Sequence, residues 1–210
     1  MTVEKDIVKS TLKRTDLSDW DKDFMLSLNE RIESGKELTE KQIVWVHKIA
    51  SRYSEEAIKE RTEWADKWAS DAAVRDKAIR CAEFYAENGG YYSWSKNILT
   101  DDKFVPSLKQ YKALTENKYA VKMLAAYEAQ AKYPVGSMIQ IRKSLKGPDS
   151  RMMRRKMYQL ETDLAVVVST DERVISSCNG NKRYKIVFIG DATPVFAEER
   201  DLKKLPKNLK

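Results

Sequence analysis

Between positions 142 and 156 the chain places Arg142, Lys143, Lys146, Arg151, Arg154, Arg155 and Lys156, opposed only by Asp149. Cations at this density attract phosphate, and binding releases the counterions condensed on it. Arginine adds a planar fork that grips two phosphate oxygens at once. Met152 and Met153 sit inside the run and Tyr158 follows it, apolar surface that suits sugar or base faces. Lys182, Arg183 and Lys185 flank an Asn-Gly turn, and Lys203, Lys204, Lys207 and Lys210 make a Lys-rich tail. Nucleic-acid contact is therefore expected at Arg142, Lys143, Lys146, Arg151, Arg154, Arg155, Lys156, Tyr158, Lys182 and Arg183. The same cations also suit an acidic protein surface, or a solvated loop whose methionines turn inward.

Other chemistries find little here. His47 is the only histidine and stands beside the apolar stripe of its helix, a packed or surface position. Cys81 and Cys178 are distant and not in CxxC spacing, so neither a zinc site nor a disulfide is expected. No phosphate-binding GxxxxGK[ST], GxGxxG or GxSxG motif occurs. Asp101-Asp102 and Glu198-Glu199 are paired carboxylates without a third ligand. The expectation is a non-enzymatic protein with no catalytic residues, no metal and no cofactor.

The charge is unevenly divided. The chain of 210 residues has a net charge of +7. Residues 135–210 hold 16 basic and 9 acidic side chains, while 1–134 hold 23 of each. All the net charge thus falls in the C-terminal third, which points to an anionic partner. No apolar run approaches membrane-spanning length, and MTVEKDIVKS lacks the apolar core of a signal peptide. A cytoplasmic protein, in the host cytoplasm if phage-encoded, is expected, with no membrane partner.

The elements that must hold these residues change character near Pro134. In 1–133 the spacing predicts helices. Trp20, Phe24, Leu28 and Ile32 recur at i+4, after a capping Ser18 and before Gly35. Thr39 and Gln42 fit a capping box for a second helix with Ile43, Val46, Ile49 and Tyr53 on one face. The pair should form a hairpin over 18–53. An Ala-, Glu- and Lys-rich stretch then predicts helix, broken near Ser70-Asp71 and stopped at Asn88-Gly89-Gly90. YYSWSKNIL predicts a short helix, and Pro106-Ser107 opens a long one running to Tyr133. Ser107 and Gln110 echo Thr39 and Gln42, which raises a duplicated hairpin over 92–127.

WDKDFMLSLNERIESGKELTEKQIVWVHKI and FYAENGGYYSWSKNILTDDKFVPSLKQYKALTENKYAVKM resemble the small helical-hairpin modules of phage proteins, which accompany helicases and primases. The resemblance implies a phage-like origin and no catalytic signature.

After Pro134 the pattern turns to strands, in VGSMIQIRKS, Leu164 to Val168, a pair around Asn179-Gly180-Asn181, and PVFAEERDLKKL. "VGSMIQIR", "YKIVFIGD" and "EERDL" in this order resemble SH3-like barrels of the Tudor and KOW type. That resemblance implies an α+β chain of two domains: all-α helical hairpins over 1–133, then a basic SH3-like small β-barrel over 135–210. RMMRRK would be part of the long loop between its first two strands. No Tudor cage residue is carried over, since alternation alone does not say which face Tyr184 and Phe188 occupy.

Two functions follow as expectations. One is an accessory protein that holds DNA or RNA through the basic barrel loop. The other is an adaptor or inhibitor that binds a host or phage protein complex such as polymerase, nuclease or defence machinery. The second requires exposed apolar surface, with Trp45, Trp64, Trp68 and Trp94 as candidates against the alternative that all four are buried.

Overall fold

Helices fill the N-terminal part of the chain and an antiparallel sheet the C-terminal part, in a computed structural model that describes residues 2–205. Lys207 and Lys210 of the tail lie outside the described residues. The change from helix to strand does fall after Pro134, but the compact units are Met1–Ala69 and Ser70–Lys210. The second group of helices belongs with the sheet.

The first unit holds α1 (Thr2–Leu12), α2 (Asp19–Glu33), α3 (Glu40–Arg52) and α4 (Glu55–Ser70). Ser18 caps α2, and Thr39 with Gln42 forms the expected box at α3. Val8, Met25, Leu28, Val46, Ile49 and Tyr53 make the core. The buried face of α2 keeps Leu28, with Phe24 and Ile32 packed against the core as expected, but it is shifted away from Trp20. Asp21, Met25 and Leu28 point inward, while Trp20 stays 56% exposed. A polar knot explains the shift. Asp21 accepts from Arg52 Nη1 at 2.8 Å, Tyr53 Oη at 2.7 Å and Ser18 Oγ at 2.7 Å, tying the start of α2 to the end of α3.

The second unit begins with α5 (Ala72–Glu87), α6 (Lys96–Thr100), α7 (Leu108–Thr115) and α8 (Lys118–Glu128). The long helix expected after Pro106 is two helices. Asn117 breaks it, its Oδ1 accepting the N–H groups of Tyr119 and Ala120 to start α8. The sheet follows, made of β1 (Met138–Ile141), β2 (Leu164–Ser169), β3 (Arg183–Phe188), β4 (Val195–Glu198) and β5 (Leu202–Lys204). Its order is β4-β3-β2-β1-β5, all antiparallel, with β4 and β5 at the edges. Ile139, Ile141, Ala165, Val167, Tyr184, Ile186, Phe188 and Leu202 share one core.

Two further expectations change. RMMRRK is not in a loop but in α9 (Ser150–Leu160), between β1 and β2. Met153, Met157 and Leu160 at i, i+4 and i+7 give this segment an apolar face that packs on the sheet core. No hairpin surrounds Asn179-Gly180-Asn181, because residues 170–182 form a loop drawn toward the helices instead. Val174 is buried among Cys81, Phe84, Leu114 and Met123. Its N–H bonds Tyr127 Oη at 3.0 Å, and Asn88 Nδ2 bonds the Ile175 carbonyl at 3.0 Å.

Candidate nucleic-acid interface

The loop leaving β1 is fastened by its backbone. Asp201 is buried and accepts the N–H groups of Lys146 at 2.7 Å and Gly147 at 2.9 Å. A Cβ on Gly147 would run into that carboxylate, so the close approach requires glycine. Arg142 Nε donates to the Leu202 carbonyl at 3.0 Å, which leaves its other guanidinium donors available. With the backbone held, the basic side chains of this loop line a cavity of about 850 Å³. Lys122, Arg142, Lys143, Lys146, Arg200 and Lys203 surround it, and no carboxylate is among the lining residues.

Arg200 is the least free of the six. It forms an ion pair with buried Glu198 at 2.7 Å. Burial works to lower its pKa, but Glu198 and the Cys178 sulfur beside it raise it above the ordinary value. Burial likewise pushes the Glu198 carboxyl up, against the pull of Ser176 and Arg200.

Helix α9 stands next to this cavity. Arg154 Nη2 reaches the Leu145 carbonyl at 3.5 Å, in the loop that carries Lys143 and Lys146. Arg151, Arg154 and Arg155 are exposed, and Tyr158 is 86% exposed. Met153 is buried beneath them and Met152 is exposed.

The remaining expected ligands are engaged inside the fold. Lys156 pairs with Asp191, whose carboxyl is held down to about 2 by that ammonium and by backbone N–H groups. Arg183 grips Asp149 with two bonds of 3.0 and 2.9 Å and stacks 4.1 Å from the Phe196 ring. Asp149, the one acid within the basic run, is thereby neutralised. Lys182 is only 8% exposed and donates to the Ala126 carbonyl at 3.1 Å. Arg142, Lys143, Lys146, Arg151, Arg154, Arg155 and Tyr158 therefore remain at the surface. Sequence reasoning missed Lys122, Arg200 and Lys203 as partners of this group. Lys122 lies on α8, and no spacing in the chain links it to Arg142.

Elsewhere, Cys81 is buried and its thiol is pushed up to about 12 by that burial, a poor nucleophile. His47 is exposed, and Tyr184 and Phe188 both face the sheet core. Trp64 and Trp68 are buried and Trp94 is half-buried. Trp45 is exposed and clusters with Trp20 and Phe24, ring centroids 5.3 to 6.4 Å apart. Among the described residues no helix is long and apolar enough to cross a membrane. No group of three or more His, Cys, Asp or Glu among them could hold a metal ion. No protein-family model, curated protein or solved structure matches this chain.

Proposed function

We propose that this is a non-enzymatic nucleic-acid-binding accessory protein that holds DNA or RNA through phosphate. The observation that carries the reading is the cavity lined by Lys122, Arg142, Lys143, Lys146, Arg200 and Lys203 with no acidic side chain in its wall. A wall of one sign focuses field into the cleft and draws in polyanions. Arg151, Arg154 and Arg155 extend the same sign along α9. Phosphate contacts of this kind position a nucleic acid without reading its sequence.

The strand order β4-β3-β2-β1-β5, with a 3-10 turn (Glu199–Asp201) immediately before β5, supports reading the sheet as an SH3-like barrel. On that reading α9 fills the long connection between its first two strands. Fold alone does not assign function, whereas the charge of the cavity wall bears on it directly.

Anisotropy titration of labelled nucleic acid tests the site. Reversing Lys143 and Lys146 to Glu should weaken binding tenfold or more. Reversing Lys103 and Lys109, exposed and not among the residues that line the cavity, changes the net charge equally and should change affinity little. Equal losses in both variants would remove the cavity as the site.

A second reading, an adaptor or inhibitor of a protein complex, is supported by exposed Trp20 and Trp45, which cluster on half-buried Phe24. Aromatic side chains are enriched at the energetic centres of protein interfaces. Trp20→Ala with Trp45→Ala should abolish capture of a protein partner from nuclease-treated lysate and leave nucleic-acid affinity unchanged.

A further inference from the structure

A second cavity, of about 440 Å³, is lined by Phe84, Tyr85, Tyr91, Tyr92, Tyr119 and Lys118. Its rings meet edge to face. Tyr85 and Tyr92 have centroids 4.9 Å apart at 90°, and Tyr91 and Tyr92 are 4.9 Å apart at 88°. The inner rings are fixed, since Tyr85 Oη donates to Asn117 Oδ1 at 2.7 Å and Phe84 and Tyr85 belong to the helical core. The outer rings reach solvent, Tyr91 more fully than Tyr119. Gly89 and Gly90 both have positive φ and turn the chain after α5, and Tyr91 just beyond them is 81% exposed. Tyr119 is 50% exposed on α8, with Lys118 Nζ 4.9 Å from its ring centre.

This cavity adjoins the basic one through shared elements. Lys118 and Tyr119 line the aromatic cavity and Lys122 lines the basic cavity, one turn further along α8. Ser177 lines the first and Cys178, the next residue, lines the second. A ring cluster of this kind could hold a cation. Lys118 in its wall and the six cations next door oppose that. What fits is a flat, uncharged ring attached to phosphate.

We infer that the tyrosine cavity stacks an unpaired base of a single-stranded nucleic acid whose neighbouring phosphates lie in the basic cavity. The inference rests on the nucleic-acid reading above and names its substrate class. A duplex keeps its bases stacked on each other and cannot offer one to the cavity, whereas a single strand can.

The test uses the full chain and three labelled probes: a 12-mer of oligothymidylate, a duplex of equal length, and an abasic deoxyribose-phosphate strand of equal length. The single strand should bind at least about fivefold tighter than the abasic strand, the lower end of what one stacked base contributes. Tyr91→Ala with Tyr119→Ala should bring the single strand down to the abasic level and leave duplex and abasic affinities unchanged. Tyr91→Phe with Tyr119→Phe should retain the preference. If the double alanine variant fails to fold, Tyr91→Ala alone carries the test. Unchanged single-strand affinity in the alanine variant, with binding still lost on reversing Lys143 and Lys146, would overturn the base pocket and leave the phosphate site standing. No binding of any probe at low salt would overturn both.

Discussion

Asp21 is buried, yet its carboxyl is held below the ordinary range. Desolvation pushes its pKa up, but the Tyr53 hydroxyl, the Ser18 hydroxyl and the Arg52 guanidinium together pull it down further. Because the folded-state value lies below the unfolded one, the stabilisation is complete above the ordinary carboxylate pKa of 3.8 and is lost as pH falls through the folded value. Asp21→Asn should therefore cost about 1–3 kcal/mol at neutral pH. The gap between variant and wild type should hold down to about pH 3.8 and narrow only below it, which unfolding curves from pH 7 down to pH 2 will show. An unchanged gap at both ends would mean that the charge does not matter. At this scale the sequence is a partial guide. It shows that Lys156, Lys182 and Arg183 are cations near a basic run. It does not show that Asp191, the Ala126 carbonyl and Asp149 already hold them, because those partners come from distant parts of the chain. Trp20 reads as core by its spacing and is exposed, because the Asp21 knot turns its helix.

Helix starts were the most legible elements, since a cap is decided by residues three apart. Both capping boxes form as read. Gln42 Oε1 accepts the Thr39 N–H at 2.9 Å and Gln110 Oε1 accepts the Ser107 N–H at 2.8 Å. The hairpins behind them differ, with helices of 15 and 13 residues in one and of 5 and 8 in the other. Thr39→Ala and Ser107→Ala should each cost about 1 kcal/mol in urea unfolding. Asn117→Ala should cost about 2 kcal/mol, since the same oxygen both caps α8 and accepts the Tyr85 hydroxyl. Equal losses at all three positions would mean that the tyrosine bond adds nothing. Helix α9 was not legible. Four cations in RMMRRK hide a face of only Met153, Met157 and Leu160, and a stripe that short is visible only once the sheet it packs on is known.

Across the whole molecule, periodicity located the change from helix to strand but could not locate the compact units. Those depend on Val174, which leaves the sheet side of the chain and is buried among α5, α7 and α8. Residues 135–210 alone would expose that helical contact and strand Lys182 without the Ala126 carbonyl. Residues 70–210 expressed alone should melt cooperatively and keep full nucleic-acid affinity, while 135–210 should not give a cooperative transition. A stable, binding-competent 135–210 would show that the sheet is independent of the helices. The basic cavity needs both parts as well, since Lys122 comes from α8 and the rest of its cations from the sheet side. The most direct measurement is the salt dependence of single-strand binding by the full chain, compared with a variant in which Lys122, Lys143 and Lys146 are Ala. Each phosphate contact should contribute about 0.7 to the slope of log affinity against log salt. The variant should therefore lose about 2 from the magnitude of the wild-type slope. An identical slope in the two proteins, or no affinity in either at low salt, would contradict a phosphate site in this cavity.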